Sequence, residues 1–181
     1  LLSSILNNAG NCATNMRDHT LAIEYYQRSI QIKEENNMQV GNTYCTLANC
    51  YQDMGNVEQA LKYYQKGIKE LRIIGDISGQ AVYLNNVALI YKRQKRFDAA
   101  ESLCKQIIDL VQTQDVPFNK CIAYGNYGDL LRELDRFDEA LENLQEAVRI
   151  AENVSDLCYI VFSVGIANIL SLQDQHDDAI R

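Results

Sequence analysis

Proline is almost missing from this chain, with Pro117 the one example in 181 residues. Proline breaks helix interiors, so its scarcity, beside 47% hydrophobic and 23% charged residues, suits an ordered and strongly helical protein. Basic excess is also missing: the net charge is -7, which argues against phosphate backbones and anionic membranes as partners. The six cysteines form no C-x-x-C pair or other metal spacing, and no Gly-rich phosphate loop is present. Most cysteines fall at apolar positions of helical patterns, where a free thiol behaves as a small hydrophobe; this points to a reducing, cytoplasmic setting. Of the two histidines, His19 and His176, each stands near one end of the chain, so no Ser–His–Asp or Cys–His arrangement can converge on one pocket. No signal peptide is expected. The longest apolar run, residues 157–172, is short of the roughly 20 residues a membrane span needs and holds Ser163, Asn168 and Ser171. A buried helix is expected there. These absences together predict no enzyme, no cofactor, no metal, no nucleic acid and no membrane insertion.

What the chain has instead is repetition. The phrases "MRDHTLAIEYYQRSI", "MGNVEQALKYYQKGI", "QKRFDAAESLCKQII" and "LDRFDEALENLQEAV" align on Ala22, Ala60, Ala100 and Ala140, with Ala179 in a fifth, partial copy. The spacings of 38, 40, 40 and 39 residues signal a solenoid. Each alanine opens an apolar series at i, i+4, i+7, i+8 and i+11, for example Ala60, Tyr64, Gly67, Ile68 and Leu71. That is one face of a helix. Twelve residues before each alanine stands a small residue, Gly10, Ala48, Ala88, Gly128 and Ala167, within its own helical pattern. Each repeat is therefore a helix pair whose small residues mark close backbone approach. A turn slot, filled by His19, Val57, Phe97, Phe137 and His176, packs between the two helices. The run "KRQKR", residues 92–96, reads as a helix C-terminus with favourable positive charge rather than an anion site.

These motifs resemble the tetratricopeptide repeat family, whose L-G-x2-Y and A-x3-F places are filled here by "LANCY" with "ALKYY" and "VALIY" with "AESLC". Tryptophan and the closing proline of that pattern are absent, and the period is near 40 instead of 34. Long repeats with connecting stretches such as "IGDISGQA" are similar to those of Pins-type adaptors, kinesin light chains and Rap-type peptide receptors. The resemblance implies an all-α, right-handed superhelical solenoid of antiparallel helix pairs, a single unit over 1–181. Its repeats would span 3–40, 41–80, 81–120, 121–159 and a partial 160–181. A chain starting in a first helix and stopping in a second is expected to be a fragment of a longer protein.

Sixteen asparagines are present, and ten of them fall in first helices against two, Asn143 and Asn153, in second helices. Asparagine costs a helix on the order of 0.6 kcal/mol relative to alanine, so compositional bias alone should not favour one helix type. The resemblance places the first helices along a concave groove. Two slots three residues apart recur there: Asn8, Thr46, Asn86 and Asn126, then Asn11, Asn49, Leu89, Asp129 and Asn168. Helices about 10 Å apart against an extended peptide rising about 3.3 Å per residue would put one amide on the peptide every third residue. The expected function is a protein- or peptide-binding scaffold holding an extended peptide through an asparagine ladder. The expected contacts are Asn8, Asn11, Asn49, Asn86, Asn126, Asp129 and Asn168, with Lys92, Arg93 and Arg132 mid-groove. Gly125 and Gly165 are expected to leave room for a bulky ligand side chain. The basic clamp of chaperone-binding repeats is missing, since Asn7, Asn86 and Val82 occupy its places.

Two rivals stand beside this reading. One is a regulatory sensor that binds a short signalling peptide and controls a flanking effector domain. The other, RNA binding by a helical-repeat code, is disfavoured by the acidic balance. Self-association through helix 157–172 is also expected, because large apolar patches rarely stay exposed.

Overall fold

The computed structural model describes the backbone of residues 1–180 and the side chains of residues 1–172. The slot residues His176 and Ala179, and Arg181, lie outside the described side chains. Among the described residues all regular structure is α-helical: α1 (Leu2–Asn15), α2 (His19–Glu35), α3 (Gly41–Asp53), α4 (Val57–Ile73), α5 (Ile77–Arg93), α6 (Phe97–Gln112), α7 (Pro117–Glu133), α8 (Phe137–Ala151) and α9 (Asp156–Ile180). The all-α architecture of paired helices read from the alanine register is the one found. In this register α1, α3, α5, α7 and α9 are first helices, and α2, α4, α6 and α8 are second helices.

Four first helices, α1, α3, α5 and α7, end in the same backbone device. Arg17, Gly55, Lys95 and Asp135 adopt positive φ of 61°, 76°, 57° and 57°. The next residue's N–H then reaches back to a carbonyl of the first helix: Asp18 to Ala13 at 2.9 Å, Asn56 to Tyr51 at 2.8 Å, Arg96 to Tyr91 at 2.9 Å and Arg136 to Leu131 at 3.0 Å. This left-handed cap satisfies carbonyls that a helix end leaves orphaned, and the three-residue turn returns the chain antiparallel. His19, Val57, Phe97 and Phe137 open the second helices and are half-buried, as a packing slot should be. Asp18 and Asn56 also cap those helices, accepting from the N–H of Leu21 and Gln59. Lys92 and Arg93 end α5, and the Arg96 guanidinium lies 4.3 Å from the Tyr91 ring centre.

The stretch "IGDISGQA" is less of a linker than its composition suggests. Asp76 accepts from the Gly79 N–H at 2.8 Å, and α5 already begins at Ile77. The side-chain cap overrides the glycine.

The chain forms two compact units, 1–87 and 88–181. In the first, α1 packs on α2, α2 on α3 and α3 on α4, around Ala22, Tyr26, Leu47 and neighbours. In the second, α6 packs on α7, α7 on α8 and α8 on α9, around Ala100, Cys104, Leu131, Ala140 and Leu144. The register alanines Ala22, Ala60, Ala100 and Ala140 are at most 1% exposed. The small slot makes room for the residue four beyond the alanine: a Cβ on Gly10 would stand 2.6 Å from the Tyr26 ring, and one on Gly128 2.7 Å from Leu144.

Candidate functional site

The polar faces of the first helices are built differently in the two units. In unit 1 the organising groups are two tyrosines of second helices, Tyr26 and Tyr64, both with no exposed surface. Burial pushes both phenols up from their ordinary range, so each keeps its proton and donates it. Tyr26 donates to Oδ1 of Asn11 at 2.7 Å and lies 3.3 Å from the Thr14 hydroxyl. One repeat later Tyr64 donates to Oδ1 of Asn49 and lies 3.0 Å from Oε1 of Gln52. Each bond spans fifteen residues, from the second helix back to the first. Asn86, reached from α5, donates its Nδ2 to Asn49 Oδ1 at 3.2 Å and to the Tyr64 hydroxyl at 3.3 Å. Of the asparagines expected at a groove, Asn11, Asn49 and Asn86 are thus fixed by bonds within the chain, while Asn8 is exposed on α1. In the other slot, Thr46 turns its hydroxyl to the Asn42 carbonyl at 2.8 Å.

Charge takes over in unit 2. Lys92 Nζ stands 3.1 Å from Asp129 Oδ2 and 2.9 Å from Glu133 Oε1. Arg132 donates to Asp129 Oδ1 through Nη2 at 2.8 Å and Nε at 3.2 Å. Burial opposes charge on Asp129, but Arg132 and Lys92 outweigh it and hold the carboxyl below its ordinary range. Two of the three cations expected to greet a ligand are therefore already neutralised by Asp129 and Glu133. Arg93 is exposed at the end of α5, and Asn126 and Asn168 are exposed on α7 and α9.

Gly125 differs from expectation: a Cβ on it would fall 2.1 Å from the Phe162 ring, so the room it leaves is filled by the chain's own α9. A Cβ on Gly165 would make ordinary contact with Leu144 at 3.4 Å. Val82, Val161 and Val164 are 44%, 52% and 53% exposed. Among the described residues no group of three His, Cys, Asp or Glu could hold a metal ion, and no helix is long and apolar enough to cross a membrane.

Sequence reasoning missed Tyr26, Tyr64, Gln52 and Glu133. A signal for the tyrosines was present: Asn11 and Tyr26 recur as Asn49 and Tyr64 at the same separation. Leu89 with Cys104 and Asp129 with Leu144 break the pair in the later repeats.

A family model described as the MalT-like TPR region matches residues 10–181. The chain is 27% identical over 138 residues to trafficking protein particle complex subunit 12 of Mus musculus, covering 74% of this chain and 17% of that protein. It is 27% identical over 165 residues to response regulator aspartate phosphatase E of Bacillus subtilis, covering 82% and 43%. Photosystem I assembly protein Ycf3 of Prochlorococcus marinus matches at 33% over 87 residues, covering 48% and 46%. Of solved structures, aspartyl phosphate phosphatase F from Bacillus subtilis superposes with a TM-score of 0.87 at 17% identity, over 96% of this chain and 46% of that one. BtubC from P. vanneervenii gives 0.76 at 18% identity, over 86% and 65%. The chain spans less than two thirds of each of these proteins.

Proposed function

The chain belongs to the MalT-like TPR region family, a helical-repeat architecture of protein-binding adaptor and regulatory domains, and from that premise we propose that it holds an extended peptide on the polar faces of its first helices. Taken by itself, unit 1 would offer Asn8, Asn11, Asn49 and Asn86. Unit 2, taken by itself, would offer Asn126, Asp129 and Asn168, with Lys92, Arg93 and Arg132. The role is binding without catalysis, in the cytoplasm.

The observation that carries this reading is the division of labour between Asn49 and Asn86. Each amide has a donor end and an acceptor end. Asn49 spends its Oδ1 on Tyr64 and Asn86, which leaves its Nδ2 to donate to a peptide carbonyl. Asn86 spends its Nδ2 on Asn49 and Tyr64, which leaves its Oδ1 to accept from a peptide N–H. A fixed donor beside a fixed acceptor suits the two backbone groups of an extended strand and gives the bound peptide a direction. Holding both amides in advance also lowers the ordering cost of binding.

Peptides selected on this chain from a displayed random library provide the test. Titrated against the Asn8→Ala, Asn86→Ala double variant, they should bind at least about tenfold more weakly, corresponding to about 1.4 kcal/mol. Tyr64 retains Asn49 as acceptor in that variant, so the melting temperature should stay close to wild type. Equal affinity in a folded variant would reject the amide site. A regulatory reading is favoured by one finding, the 27% identity to a response regulator aspartate phosphatase across 82% of this chain. There the same peptide would control an attached effector, and peptide-dependent change in a flanking domain's activity would distinguish it.

A further inference from the structure

All six cysteines are free thiols, and five of them are buried. Two of the five meet. Cys121 lies near the start of α7 and Cys158 in the first turn of α9, and they are 0% and 8% exposed. Both belong to the core of unit 2. The register of the two helices brings them together. One turn further along each helix stand Gly125 and Phe162, and a Cβ on Gly125 would fall 2.1 Å from the Phe162 ring. The missing side chain lets α9 pack directly on α7. Cys121 and Cys158 are 37 positions apart, as are Gly125 and Phe162, so on these parallel helices the cysteines share the face of the glycine contact. The two thiols are hydrogen-bonding neighbours, and Cys121 donates to the Ala147 carbonyl of α8 at 3.4 Å. Cys45 and Cys50, by contrast, lie against Gly67 and the Thr14 hydroxyl.

We propose that Cys121 and Cys158 are the site of a reversible disulfide, closed by a peroxide, that staples α9 to α7. The chemistry takes two steps. Hydrogen peroxide oxidises the Cys158 thiol to a sulfenic acid: the O–O bond breaks, an S–O bond forms and one water leaves. The Cys121 sulfur then attacks the Cys158 sulfur. The S–O bond breaks, the S–S bond forms, and the Cys121 proton leaves with the hydroxyl as a second water. Two thiols are oxidised and one peroxide is reduced. Burial divides the roles. Cys158 keeps some surface and sits in the first turn of a helix, where local opening is easiest. Cys121 is enclosed, and burial, reinforced by the Cys158 sulfur, pushes its thiol up to about 12. It therefore stays protonated and unreactive until a sulfenic acid forms beside it. A small thiol such as glutathione reopens the bond by exchange. While closed, the bond keeps α9 from parting from α7, and it holds α8, which packs on both.

Treating the folded chain with hydrogen peroxide should remove two hydrogen atoms from its mass. A digest should then yield one peptide pair joined through Cys121 and Cys158, which dithiothreitol separates. The oxidised chain should unfold at a higher urea concentration than the reduced one, because the closed loop constrains the unfolded state. Cys158→Ser should abolish both the bond and that gain. Cys121→Ala should leave Cys158 as a sulfenic acid that dimedone captures. Oxidation in concentrated urea should show no preference for this pair, since the fold is what aligns it. Folded wild type in which Cys158 proceeds to the sulfinic acid beside an unmodified Cys121 overturns the proposal. So does a disulfide made with the exposed Cys12 in place of this pair, or a 121–158 bond that lowers the urea midpoint.

Discussion

Glu101 shows how a single residue joins three helices. Its carboxylate accepts from the Tyr127 hydroxyl at 3.1 Å and the Arg136 guanidinium at 2.9 Å, and it pairs with Lys105 at 2.8 Å. The bond from Lys105, then those from Arg136 and Tyr127, outweigh burial and hold its pKa down to about 2. An unfolded glutamate titrates near about 4.3. A depressed folded-state pKa gives stability that is complete above the unfolded value and lost as pH falls toward the folded one. Urea unfolding measured from neutral pH downward should therefore show stability falling between about pH 5 and pH 2, and Glu101→Gln should be less stable at neutral pH with a shallower fall. Parallel profiles for the two proteins would show that Glu101 holds nothing together. Residues of this sort are hard to see in a sequence, because Glu101 and Arg136 are 35 positions apart and each alone looks like solvated surface charge.

The helices themselves were far more legible. Aligning alanines found the buried lines of α4, α6 and α8, and the asparagine bias sharpened once helix ends were placed: Asn119 opens α7, Asn153 follows α8, and Asn143 remains in the second helices. Local periodicity carries such information because one helix face repeats within a few residues. The Tyr–Asn bonds did not emerge that way, since they join side chains of different helices and depend on how those helices cross. Helix ends lie between these cases. The left-handed position of each first-helix cap is glycine at Gly55 but lysine at Lys95, both with positive φ. A left-handed conformation costs a residue with a Cβ roughly 1–2 kcal/mol, part of which Lys95 already bears. Lys95→Gly should therefore raise stability by about 1 kcal/mol, and Gly55→Ala should lower it by a similar amount. Chemical denaturation measures both. If both changes are neutral, the cap does not set the turn.

Over the whole molecule, 24 acidic residues outweigh 17 basic ones, and this field acts on any peptide before contact is made. The cations of unit 2 do little to reverse it. Lys92 is shared between Asp129 and Glu133, Arg132 is held by Asp129, and Arg93 makes no ion pair among the described residues. The amide pair of Asn49 and Asn86, if it binds as proposed, would read backbone groups and be indifferent to peptide charge. Discrimination between basic and acidic peptides should then come from the long-range field, which changes encounter rates more than dissociation. Two peptides with the same central residues, one carrying basic flanks and one acidic, would separate these effects by stopped flow. At low salt the basic peptide should associate about tenfold faster, with similar dissociation rates. Near 1 M salt, where screening shortens to about 3 Å, the difference should largely vanish. Faster association of the acidic peptide at low salt would mean that Arg93 and its neighbours govern the approach, and that the site reads charge locally rather than through the field of the whole chain.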